Sequence, residues 1–61
     1  MIEMTEKRLR MINSALCAYI ARLESDRQAL DEDDPSFRQF TVLIDEYTSL
    51  KEDIEILLLR Y

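Results

Sequence analysis

A lone thiol, a run of four carboxylates and a later group of three acids are the side chains with the most chemical reach in this chain. Cys17 is the single cysteine, and there is no histidine. A cysteine nucleophile needs a base or a nearby cation to generate its thiolate, and no imidazole exists to supply one. One cysteine without histidine also leaves no zinc set of the usual kind. The run Asp31-Glu32-Asp33-Asp34 could attract a cation. A calcium loop, however, needs glycine at its sharp turn and ligands spread over about twelve residues, and this chain has no glycine. The run reads as a solvated turn that also caps a helix. Glu52, Asp53 and Glu55 could do acid–base work only in a cleft that perturbs their pKa values. Their spacing suits a polar helix face. Tyr47 and Tyr61 read as packing or interface residues. No catalysis, no metal and no cofactor is expected, and the function must lie in the surface.

The elements that would carry that surface follow from punctuation. Glycine is absent and Pro35 is the single proline. Good helix formers dominate the rest. Ile2, Leu9, Leu16, Leu23 and Leu30 recur every seventh residue, with Ile12 and Tyr19 on the intermediate stripe. This spacing lays one apolar seam along a helix and suits packing against a neighbour. Thr5 is a good N-cap and Glu6 a good first-turn residue. In the second half Phe40, Leu43, Tyr47, Leu50, Ile54, Leu57 and Tyr61 alternate by three and four. Asp34-Pro35 starts that segment, because Asp caps well and proline is tolerated at the first helical position. Proline also pushes Asp34 out of helical geometry, which disfavours one continuous bent helix. The expected fold is all-α, a single domain over 1–61: a two-helix antiparallel hairpin, coiled-coil-like, with a helix over about 5–30, a turn over 31–34 and a helix over about 35–61.

Such a hairpin is short of stabilisation. A chain of 61 residues buries only about 60% of its unfolded surface. Small domains compensate with disulfides, a metal or another chain. The first two are removed by composition, so the hairpin is expected to be completed by a partner chain or by self-dimerisation. Apolar residues in excess of one seam agree. Phe37, Ile44 and Leu58 lie on a stripe beside the seam of the second helix, and Val42, Ile56 and Leu59 point elsewhere. Ile20 adds to the first helix, with Met4 and Met11 off its seam. The second helix is apolar nearly all round near its end, a property of buried helices, and aromatics favour interfaces. The candidate partner-binding residues are Ile20, Phe37, Phe40, Ile44, Tyr47, Ile56, Leu58, Leu59 and Tyr61.

Charge narrows the partners. The net charge is −5. Residues 1–23 sum to +2, residues 24–34 to −5 and residues 35–61 to −2. An acidic chain repels phosphate backbones, so an RNA-binding helical dimer is disfavoured. The longest apolar run, Ile56-Leu57-Leu58-Leu59, is far short of the roughly 20 residues of a membrane helix. The N-terminal residues lack a signal-peptide layout, and a lone thiol suits a reducing compartment. A cytoplasmic protein is expected, with neither nucleic acid nor membrane as partner.

The stretch Asp34-Pro35-Ser36-Phe37-Arg38-Gln39-Phe40, leading into Val42-Leu43 and then Leu50-Lys51-Glu52-Asp53-Ile54-Glu55-Ile56-Leu57-Leu58 with the tail Arg60-Tyr61, resembles the second helix of the small co-chaperones of type III secretion needle subunits (the YscE, PscE, SsaE and EscE group). The resemblance covers roughly the second half; the first helix matches only in amphipathic character. It implies a hairpin that binds a larger chaperone of tetratricopeptide-like helical repeats. That chaperone holds the needle subunit in a ternary complex, keeping it monomeric in the bacterial cytoplasm before export, a virulence function. The family's apolar face maps onto Phe40, Leu43, Tyr47, Leu50, Ile54 and Leu57. Which of these meet the first helix stays open; Ile44, Leu58 and Tyr61 are the expected partner side. The alternatives are a homodimeric four-helix bundle of regulatory or structural role, or an aspartyl-phosphate phosphatase of the sporulation type. The phosphatase would need Ser-Gln-x-Leu-Asp on its second helix. The nearest stretch here, Thr41-Val42-Leu43-Ile44-Asp45, lacks the serine and the glutamine.

Overall fold

The computed structural model describes residues 3–61 and consists of two helices, α1 (Glu6–Gln28) and α2 (Pro35–Leu58), packed side by side as an antiparallel hairpin. Ile2, the first residue of the heptad series, lies outside the described residues. Thr5 begins α1: its backbone is extended, and its Oγ1 accepts from the Arg8 backbone N–H at 3.2 Å. Glu6 adds a negative charge where the helix dipole favours one, and it pairs with Arg10 at 2.8 Å. At the other end Arg27 complements the dipole.

The connection spans residues 29–34, two more than the four-residue turn expected, because α1 stops at Gln28. Asp34 N–H donates to the Asp31 carbonyl at 2.9 Å. Asp34 Oδ1 in turn accepts from the Ser36 N–H at 2.8 Å, with Pro35 in the first turn. The acidic run therefore serves a structural purpose: it closes the turn and caps α2. Helix α2 ends at Leu58. Residues beyond it continue in tighter bonds, Arg60 N–H to Leu57 O and Tyr61 N–H to Leu58 O.

The seam between the helices holds two apolar clusters. Near the open end Leu9 and Leu16 meet Ile54, with Ile12, Tyr47 and Leu58 packed around them. Towards the turn Ile20 and Leu23 meet Ile44, flanked by Phe40 and Tyr47. Arg27 seals the turn end. Its guanidinium lies 5.5 Å from the centroid of the Phe37 ring and donates to Thr41 Oγ1 at 3.2 Å, while Thr41 donates to the Phe37 carbonyl. Tyr61 closes the open end by donating its hydroxyl to the Met4 carbonyl at 3.0 Å.

Two details of the seam differ from the heptad reading. On α1 the inward positions run Leu9, Ile12, Leu16, Ile20, Leu23 and Arg27, five steps over 18 residues. This is the period of about 3.6 of a straight helix, not the 3.5 of a supercoil. The drift brings Ile20 inward and leaves Tyr19 exposed. On α2 the inward stripe is Phe37, Phe40, Ile44, Tyr47, Ile54 and Leu58. Leu43, Leu50 and Leu57, expected on it, are exposed instead.

Candidate protein-binding face

Of the nine residues expected to meet a partner, the structure places two in the hairpin's own core. Ile20 (9% exposed) and Ile44 (6%) are buried against each other's helix. Leu58, assigned with Ile44 to an outward stripe, packs instead on the cluster of Leu9, Leu16 and Ile54. Ile44 and Leu58 are corrected because the 37–44–58 stripe of α2 is the inner one, and Ile20 because the 3.6-residue period of α1 turns it inward. Phe37, Phe40 and Tyr47 are half-buried at the margins of the seam. Ile56, Leu59 and Tyr61 are exposed.

The face that remains apolar and open is the stripe of α2 that periodicity alone assigns to the seam. Leu43, Leu50 and Leu57 are 38–45% exposed and repeat every seven residues. At about 100° per residue they form a line along one flank of α2, each three or four residues from Tyr47 or Ile54. The Tyr19 ring stands edge-on to the Tyr47 ring, with centroids 5.1 Å apart at 85°, a favourable aromatic geometry. This contact fixes which flank of α1 borders the leucine line. It is the flank of Ile12, Ala15 and Tyr19, spaced by three and four. Tyr61 extends the line past Leu57, whereas Met11 lines a hollow on the outer side of α1 with Lys7, Arg10 and Ser14. Among the described residues, five of the ten large apolar side chains that are exposed, Tyr19, Leu43, Leu50, Leu57 and Tyr61, therefore share one broad face. Val42 and Ile56 point away from α1, and Leu59 follows the end of α2.

The opposite flank of the seam is polar. By the same geometry it carries Asn13, Cys17 and Glu24 on α1, with Thr41, Thr48 and Glu52 on α2. Lys51 sits on the inner stripe between Ile44 and Ile54. It is partly exposed there, and its ammonium donates to Glu55 one turn on. The hydrogen bond from Lys51 to Glu55 holds the ammonium pKa above its ordinary value.

Among the described residues no group of three or more His, Cys, Asp or Glu side chains converges as a metal site would require. Cys17 is exposed. Surface hollows beside Glu6, Arg10 and Met11, beside Pro35 and Val42, and beside Glu52 and Leu59 are each lined by a single helix. None is a cleft between elements that could strip water from a carboxylate pair. Among the described residues no helix is long and apolar enough to cross a membrane. Comparison with protein-family models, with curated proteins and with solved structures gave no match.

Proposed function

We propose that this chain is a non-catalytic binding module whose broad apolar face docks against helices of another protein. The observation that carries the reading is the Leu43–Leu50–Leu57 line beside Tyr19. Monomeric proteins seldom leave a contiguous apolar face of this length in water. Heptad spacing along it suits helix-on-helix packing, with apolar side chains entering grooves of the facing helices. The resemblance of α2 to the needle-subunit co-chaperones supplies the finer proposal. The partner is a helical-repeat chaperone, and the ternary complex with the needle subunit keeps that subunit monomeric in the cytoplasm. Leu43, Leu50 and Leu57 replace Ile44 and Leu58 as the side chains that would enter the partner.

Co-expression of the chain with such a helical-repeat chaperone and its needle subunit, followed by size-exclusion chromatography, tests this. A complex containing all three chains, lost with Leu50→Asp but kept with Ile56→Asp, is the expected result. Failure of the unmodified chain to co-elute would overturn the co-chaperone assignment. Loss with Ile56→Asp instead would overturn the choice of face.

A further inference from the structure

The apolar face also matches itself. A compact chain of 7.3 kDa exposes about 4,200 Å² of accessible surface, whereas this hairpin exposes 5069 Å². The excess, about 900 Å², is close to the roughly 800 Å² that one partner contributes to a standard stable interface. The molecule measures 43 × 22 × 14 Å across its Cα atoms, a single layer of helices, while stable domains need two. A second identical layer on the apolar face would supply that surface, and Ala15 near its middle permits close approach.

Charge selects the arrangement. The turn half of the hairpin, residues 24–42, sums to −4, with Glu24, Asp26 and the 31–34 run outweighing Arg27 and Arg38. The open end, residues 3–12 with 54–61, sums to +1 through Lys7, Arg8, Arg10 and Arg60 against three glutamates. Two copies aligned turn to turn would stack the acidic ends. Two copies aligned turn to open end set each acidic end beside a basic one. Arg8 and Asp26 define this polarity on the face itself. They are 18 residues apart, about five turns, so they share one azimuth at opposite ends of α1, with Ala15 and Tyr19 between them. Both are exposed.

We propose that in the absence of another partner the face is covered by a second copy of this chain, the two hairpins packing turn to open end about a two-fold axis perpendicular to their length. The resulting four-helix bundle sets Arg8 of one copy level with Asp26 of the other, twice by symmetry. The inference shares its face with the proposed function but does not depend on which protein is the final partner. Its consequence is competition: dimer and heterologous complex exclude one another.

Sedimentation equilibrium of the full chain, alone, over a wide concentration range tests it. The expected species is a dimer of twice the chain mass. Leu50→Asp, and independently Leu43→Asp, shift it to monomer with helical circular dichroism retained. Arg8→Glu and Asp26→Arg singly weaken association about three- to tenfold, and the double reversal restores it. A monomer at every concentration overturns the dimer. So does a dimer indifferent to both leucine changes. Single reversals without effect, or a double reversal without recovery, overturn the turn-to-open-end packing. None of these results bears on co-elution with a helical-repeat chaperone, so the two proposals fail separately.

Discussion

Leu43 and Ile44 are adjacent in sequence, are both aliphatic, and lie on opposite sides of the question of which stripe of α2 meets α1. Truncating each to alanine should therefore give opposite results. Ile44 is 6% exposed and packs on Ile20 and Leu23. An Ile→Ala change in such a site costs about 2–5 kcal/mol, from lost transfer energy and the cavity left behind. A chain of 61 residues has about 3–9 kcal/mol of total stability, so Ile44→Ala removes a large part of it and Ile44→Asp unfolds the hairpin. Leu43 is exposed, and its truncation should lie within about 0.5 kcal/mol once association is diluted out. The assay is urea unfolding followed by far-UV circular dichroism, repeated at several chain concentrations. Ile44→Ala should lower the midpoint at every concentration, while Leu43→Ala should lower it only where the wild type associates. Equal losses for the two variants at low concentration would place Leu43 in the seam and refute the observed register.

Capping gives a second test. Asp34→Ala removes the acceptor for Ser36 N–H and should cost about 1 kcal/mol, read from the unfolding midpoint. Asp33→Ala, one residue earlier and exposed, should cost nothing measurable. Arg27→Lys keeps the charge but loses the planar stacking over Phe37 and the fork that reaches Thr41, and should destabilise by about 0.5–1 kcal/mol. The Lys51–Glu55 pair predicts a pH dependence whose sign follows from the raised lysine pKa. Its contribution is full below the ordinary lysine value and is lost as pH rises through the folded one. Unfolding midpoints should therefore fall in alkali, and Lys51→Met should remove that component of the fall.

The fold was largely legible in the sequence because its boundaries rest on local chemistry. Thr5 and Asp34-Pro35 are start signals that need no tertiary information. The absence of glycine and of further prolines left two uninterrupted helices and one turn. The apolar surplus was legible too, since it is a matter of composition. Its location on α2 was not. Phe40, Tyr47, Ile54 and Tyr61 belong to both candidate stripes. The choice between their neighbours lay between a line of three leucines, Leu43, Leu50 and Leu57, and a line of Phe37, Ile44 and Leu58 interrupted by Lys51. Period alone favours the unbroken line. The structure takes the interrupted one for two reasons that periodicity does not contain. The cap at Asp34 aims the first turn of α2 so that Phe37 lies under Arg27. Lys51, in turn, is tolerated on that stripe because it stays partly exposed with its ammonium paired to Glu55. The same ambiguity on α1, Tyr19 against Ile20, was resolved by the 3.6 period of a straight helix. Contacts that depend on chain crossing, such as Tyr19 on Tyr47 and Tyr61 on the Met4 carbonyl, had no signal in one sequence.

In the proposed function the Leu43–Leu50–Leu57 face is the working surface of this protein. It is tested most directly by amide chemical-shift mapping of the isotopically labelled chain as a helical-repeat needle-subunit chaperone is added. Perturbations are expected to concentrate around Leu43, Leu50 and Leu57 and at Ala15 and Tyr19, with Cys17, Thr48 and Glu52 on the polar flank left unmoved. Perturbations centred on the polar flank, or none at saturating chaperone, would contradict it.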